Sequence, residues 1–143
     1  MEVKIKSMYT DEVETVQLKL ALYEVVDALF GKKMPALAIL AETVEEDGEA
    51  YPYADVTVSF GEFIGMKNCA YIDTNNCTFT QDLLELRTKS GKPIAVNTGL
   101  TKRSGFCEYP LWAFEEEFLR EIGNEAYETY SKAYDEYMGK MED

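Results

Sequence analysis

The chain has 143 residues, of which 46% are hydrophobic and 13% aromatic, and its formal net charge at pH 7 is −13. This length fits one domain, and the hydrophobic content is sufficient for a packed core. Nucleic acids and anionic membranes are polyanions, so the charge disfavours both as partners and favours a basic protein. Because the chain contains no histidine, a Ser-His-Asp or Cys-His mechanism within it is excluded.

The sequence carries no signal for export or membrane insertion. A basic start followed by a hydrophobic run is missing, and no apolar stretch reaches the length that spans a membrane. Three cysteines without a signal peptide are typical of reduced thiols. We therefore expect a cytoplasmic protein.

Alternating hydrophobic and polar residues predict strands in the first half of the chain. Residues 25–30 fit either a helical turn or an extension of the strand before them. Strands that follow one another without a long helix between them favour antiparallel pairing. The predicted strands cover 2–9, 16–23, 36–43 and 54–60, the acidic loop 45–49 joins two of them, and Tyr71-Ile72 ends another short strand.

The second half predicts helices. Phe114, Phe118 and Ile122 lie at helical spacing before Gly123, and a stripe of tyrosines follows. We expect helices near 79–88, 114–122 and 125–138, with 92–96 and 106–109 extended. The predicted fold is a single α+β domain, 1–143, strand-rich over 1–72 and helix-rich over 78–140. Its antiparallel sheet has about four to six strands, and about three helices pack on one face.

A dense polar corner lies between the predicted strand at Tyr71-Ile72 and the helix after it. Asp, Thr and Asn side chains bond nearby backbone amides, so a structural turn is the simpler interpretation, with Thr78 and Gln81 as a capping box. The alternative is a binding site, for which we expect Cys77 and Cys107 to lie close together. Its candidate residues are Asp73, Asn75, Asn76, Cys77 and Cys107.

The cysteines also raise the hypothesis of a metal site. Cys69, Cys77, Cys107 and Asp73 are admissible zinc ligands, but their spacing does not match a CxxC knuckle. Ordinary buried thiols are therefore the favoured interpretation. We expect no metal, no cofactor and no catalytic residue, and predict that the protein is not an enzyme.

Acidic residues concentrate at the C-terminal end, where Glu115 to Asp143 contains ten acidic and three basic residues. Carboxylates on these helices and on the 45–49 loop can imitate the phosphates of DNA, whereas a solvated face that maintains solubility is the plainer interpretation. The predicted interaction face comprises Glu116, Glu121, Glu128 and Asp135.

Three segments carry a resemblance to a known family: 68–77 (NCAYIDTNNC), 104–111 (SGFCEYPL) and 54–58 (ADVTV). There the chain resembles an uncharacterised domain family of gut Firmicutes-type bacteria, often found on conjugative and other mobile elements. The resemblance covers about residues 14–120, with 25–35 and the tyrosine-rich helix as local additions. It implies a small bacterial protein of a mobile element and assigns no catalytic residue.

Together these observations predict a non-catalytic interaction protein. The most specific version of this prediction is an inhibitor that occupies a DNA-binding enzyme by mimicking DNA. An accessory or structural protein without mimicry is one alternative. A small metal- or ligand-binding protein that uses the Cys69-Asp73-Cys77-Cys107 region is the other.

Overall fold

Eight strands and two helices make up the structure, a computed structural model that describes residues 1–142. The strands are β1 (Glu2–Lys6), β2 (Val13–Val26), β3 (Lys33–Val44), β4 (Ala50–Asp55), β5 (Thr57–Val58), β6 (Cys69–Ile72), β7 (Ala95–Ser104) and β8 (Cys107–Phe114); the helices are α1 (Thr80–Leu83) and α2 (Glu116–Glu142).

The strands form two four-stranded antiparallel sheets. The first sheet has the order β1-β2-β3-β4, and the second has the order β5-β6-β8-β7. This arrangement confirms the α+β class but corrects the prediction of one sheet. The two sheets meet at Val56, which is 0% exposed. Its N–H donates to the Ile39 carbonyl and its own carbonyl accepts from the Asp73 N–H, each at 2.9 Å.

The long hairpin of β2 and β3 forms the centre of the first sheet. Leu18 pairs with Ala41 and Leu20 with Ile39, and these residues are buried in the main core. One buried face produces the period-two pattern that predicted β2. Strand β2 continues to Val26, which decides the alternatives for residues 25–30 in favour of a strand extension followed by a turn.

The prediction of three helices is wrong in number and extent. Helix α1 has only four residues. The segment after it runs through turns to β7. The two predicted C-terminal helices are joined in one element, α2, but the predicted break at Gly123 is present as a kink with non-helical backbone angles. The last helix, predicted to end near residue 138, continues through Gly139. The β7–β8 hairpin occupies much of the part predicted to be helix-rich, and its two-residue turn begins at Gly105, whose φ of +62° suits glycine.

Helix α2 packs against β2 and β3. Its buried side chains are Phe118, Leu119, Ile122, Tyr127, Tyr130, Ser131, Tyr134 and Tyr137. The tyrosine stripe therefore belongs to the core. Neither described helix combines the length and the apolar character that crossing a membrane requires.

Candidate functional site

The polar corner after β6 is closed by hydrogen bonds within itself. The Asp73 carboxylate accepts the backbone N–H of Asn76 at 3.3 Å and the Asn76 side-chain amide at 3.1 and 3.2 Å. The Asp73 carbonyl accepts the Cys77 N–H at 2.9 Å. Asn75 and Asn76 are exposed. The bonding capacity of Asp73 is thus largely used by its own turn, as the structural interpretation predicts.

Cys77 is 1% exposed within this corner. Burial raises the pKa of its thiol to about 11, so the thiol stays protonated at neutral pH and is a weak nucleophile and metal ligand. The predicted capping box at Thr78 and Gln81 is wrong. Helix α1 begins at Thr80 with Phe79 before it, and no side chain caps its N-terminus.

Cys107 approaches the corner from β8. Strand β6 pairs with β8 through Tyr71 opposite Leu111, and this direction carries β8 past the corner towards Tyr109 and Cys107. The pKa of Tyr109 is raised by burial first, then by the Cys107 thiolate, and also by the Asp73 carboxylate. The corner and the start of β8 therefore lie at the same end of the second sheet.

The three cysteines do not assemble into a metal centre. All three are free thiols, and the Cys69 thiol donates to the Lys67 carbonyl at 3.5 Å. Among the side chains that the structure describes, which end at residue 139, no group of three or more Cys, Asp or Glu is arranged to hold a metal ion. One half-buried thiol, Cys107, lies beside the corner, and the hypothesis of a binding site at the corner stays a prediction.

Three of the four carboxylates predicted as an interaction face are in ion pairs within the chain. Glu116 and Glu128 both pair with Arg120. Asp135 pairs with Lys67 at 3.0 Å. All of these partners are solvent-accessible, so each pair contributes only up to about 1 kcal/mol to stability and remains open to exchange. Glu121 has no ion-pair partner among the described residues.

The exposed side of α2 carries further carboxylates that the prediction did not single out. Glu125 and Glu136 are exposed and have no ion-pair partner in the described part of the chain. With Glu128 and Asp135 they occupy one side of the helix, because their spacings of three, seven and eleven residues return to the same face. We call Glu125, Glu128, Asp135 and Glu136 the acidic row.

The acidic loop 45–49 is separate from this row. Met34 of β3 packs against Tyr137 near the end of α2, and β3 then runs to Val44. Ten residues of extended strand, about 30 Å, separate Met34 from the end of β3, whereas five residues, about 17 Å, separate that end from Ile39, which pairs with Leu20 beneath Gly123. The loop therefore lies beyond the end of the strand and provides a comparison site outside the acidic row.

A cavity that the sequence did not predict lies under residues 59–66, which we call the covering loop. Its volume is about 240 Å³, and its walls include Tyr23, Cys69, Tyr71 and Leu111. The signal that was overlooked is the sequence SFGEFIGM, where aromatic residues alternate with Gly61 and Gly65 without strand or helix periodicity. Such a segment indicates a loop that carries apolar side chains over a neighbouring surface.

Comparison with curated proteins and with solved structures gave no match. A family model described as "Domain of unknown function (DUF4313)" matches residues 29–134. The matched region includes part of 25–35 and most of α2, which the resemblance had treated as additions, and it leaves β1 and β2 outside. The chain belongs to this family, the domain of unknown function DUF4313.

Proposed function

We propose that the protein is a non-catalytic interaction protein that presents the acidic row of α2 to a basic partner, and that this partner is a DNA-binding enzyme whose cleft the row occupies. The single observation behind the proposal is the row itself, four exposed carboxylates on one face of a core-anchored helix. The mobile-element setting implied by the family resemblance belongs to the same proposal, since such elements often carry inhibitors of host defence.

The number of carboxylates along the row is close to the number of phosphates along one DNA strand of equal length. Glu136 lies eleven residues after Glu125, a rise of about 16 Å along the helix, and the segment contains four carboxylates. One strand of B-DNA presents about five phosphates over the same distance. Lys132 is exposed on the same face and reduces the local charge, so its replacement provides a gain-of-binding test.

Rigidity also supports the proposal. The buried side of the helix is held by Tyr130, whose hydroxyl accepts the Asn68 N–H at 2.9 Å, and by Tyr127, whose hydroxyl donates to the Asn68 side chain at 2.8 Å. A charge array fixed before binding loses little conformational entropy on docking. It also speeds the encounter with a basic cleft by electrostatic steering.

The test is displacement of labelled duplex DNA from purified basic DNA-binding enzymes, namely a nuclease, a methyltransferase and a relaxase, followed by fluorescence anisotropy. We expect displacement from at least one enzyme, weakening as salt rises. The double variant Glu125→Lys/Glu136→Lys, which leaves the ion pairs of Arg120 and Lys67 intact, should need at least about ten times more protein. Lys132→Glu should need less.

The matched control is Glu45→Lys/Glu46→Lys, which changes the net charge equally on the 45–49 loop. Retained displacement by this control assigns the effect to the helix face. Equal loss in both double variants would mean that net charge alone is responsible. Failure to displace DNA from all three enzymes would reject mimicry and favour the accessory protein without it.

A further inference from the structure

The cavity under the covering loop is bounded by both sheets. Its floor is a row of side chains across the second sheet, and the end of the β2–β3 hairpin forms one wall. Val58 pairs with Tyr71, and Tyr71 pairs with Leu111, which gives the floor a continuous surface. On the hairpin, Tyr23 and Ala36 are paired neighbours and both line the space.

This space borders the main core, because Leu37 and Ala70 line it and also belong to the largest core cluster. Cys69 and Leu111 are 4% and 3% exposed, yet neither belongs to the core clusters formed by the described residues. They are buried beneath the covering loop and face a volume of about 240 Å³. The space is partly open to solvent, since Ser59, Met66 and Leu100 in its lining are exposed. An apolar occupant would displace water from the walls and gain dispersion contacts with them.

The walls favour a neutral occupant. Glu62 is the one ionisable carboxylate among the lining residues, and its carboxylate lies 2.6 Å from the Lys102 ammonium. Burial raises the pKa of the Cys69 thiol, so this group remains uncharged near neutral pH. A charged ligand would find no free counter-ion here and would incur an uncompensated cost of desolvation.

The walls also favour aromatic rings. Phe60 meets Tyr71 edge to face, with the ring centroids 5.5 Å apart, and Tyr23 and Phe63 present further rings to the space. Aromatic groups pair preferentially at such angles and distances. An apolar cavity of about 150 Å³ holds benzene, so the larger volume here accommodates one ring with substituents or two fused rings.

Two hydroxyl groups can orient such a ligand. The Tyr71 hydroxyl has no hydrogen-bond partner among the described residues. The Ser59 hydroxyl accepts the Gly61 N–H at 3.2 Å, which leaves its own O–H free to donate. We propose that this cavity binds a neutral aromatic molecule of one or two rings that carries a single hydrogen-bonding group. The site is independent of the acidic row.

The test uses 2-naphthol as the probe and the full chain labelled with ¹⁵N. We expect saturable amide shifts centred on Tyr71, Leu100 and Leu111, with a dissociation constant of about 0.1–1 mM. Two comparison compounds test separately whether the ligand must be neutral and whether it must be aromatic. 2-Naphthoate has the same rings with a charge, and 1-octanol has the hydroxyl without rings; each should bind at least about ten times more weakly. Equal binding of either compound would overturn the corresponding claim.

Two variants test the location. Ala36→Phe fills the space from the hairpin, and Leu100→Trp fills it from β7, where Leu100 is 53% exposed and tolerates replacement. Each folded variant should weaken 2-naphthol binding at least about tenfold, whereas Ala21→Phe, on an exposed position of β2, should leave it unchanged. Undiminished binding by Leu100→Trp and by folded Ala36→Phe, or no saturable binding to the unmodified chain, would overturn the proposal.

Discussion

Gly123 of α2 lies so close to Leu20 of β2 that a Cβ atom on the glycine would be 2.3 Å from the Leu20 Cβ. Real Cβ atoms do not approach other atoms this closely, so only glycine allows the helix to contact the strand here. The kink of α2 occurs at the same residue. The glycine thus sets both the depth at which α2 lies on the first sheet and the direction of its C-terminal half.

We expect Gly123→Ala to destabilise the protein by about 1–3 kcal/mol, because the added methyl group overpacks the contact with Leu20 and forces the helix or the strand to shift. The measurement is the free energy of unfolding from urea denaturation. Gly139→Ala is the matched control, since nothing lies within 4 Å of a Cβ at Gly139. That variant should be unchanged or more stable by up to about 1 kcal/mol. Equal changes in the free energy of unfolding for both variants would show that the close contact with Leu20 does not determine the effect.

Gly123 also illustrates what the sequence allows one to predict. A glycine after an amphipathic segment indicates the end of a helix, because local sequence reports only local conformation. Its actual role depends on Leu20, about a hundred residues away, which no local pattern reveals. The ion pair between Lys67 and Asp135 was unpredictable for the same reason, because the two residues are far apart in the sequence.

The β2–β3 and β7–β8 hairpins show which strands can be predicted from the sequence and which cannot. Strand β2 was predicted correctly because one face is buried under α2, which gives strict alternation. Strand β7 has exposed residues at most positions on both faces, so burial does not impose an alternating pattern on it. The α+β class and the tyrosine stripe were predictable from periodicity, whereas the division into two sheets depends on the crossing of the chain at Val56.

Asn68 provides a second prediction. Its φ is +66°, and its side chain and backbone hold the hydroxyls of Tyr127 and Tyr130. Asn68→Ala should cost about 2–3 kcal/mol, because it removes a hydrogen bond and places a Cβ without a compensating side-chain bond in the left-handed region. Asn68→Gly relieves the backbone strain and should recover about 1 kcal/mol of that loss. Urea denaturation of both variants shows which of them is more stable. If Asn68 acted only through its side chain, Asn68→Gly would not be more stable than Asn68→Ala.

The thiols provide a third prediction. Cys77 is buried with a pKa of about 11, so only roughly one molecule in a thousand carries its thiolate at pH 8, and Cys69 is also buried. With Ellman's reagent the native protein should show one fast thiol, Cys107, and all three after denaturation. Cys107→Ser should abolish the fast phase. A fast phase that persists in this variant would return the corner cysteines to consideration as a reactive site.

The fourth prediction concerns Asp27, which is 1% exposed at the end of β2. Its carboxylate accepts the N–H groups of Phe30 and Lys32, each at 2.6 Å, and of Leu29 at 3.1 Å. Burial alone raises the pKa of this carboxyl, but these bonds outweigh burial and hold the pKa below its ordinary value. The turn between β2 and β3 is thus organised around an ionised, buried acid.

A lowered pKa in the folded state means that ionised Asp27 stabilises the fold above the unfolded-state value of about 3.9, and that this contribution disappears as the pH falls through the folded-state pKa. Asp27→Asn has only one acceptor oxygen and turns an N–H towards the backbone donors, so it should be less stable than the unmodified protein at pH 7. The difference between the urea midpoints of the unmodified protein and Asp27→Asn should narrow as the pH is lowered from 5 to below 3. Asp11→Asn, at an exposed position, controls for the lost charge. A difference for Asp27→Asn that stays constant over this range would contradict the ionised, hydrogen-bonded state of the carboxylate.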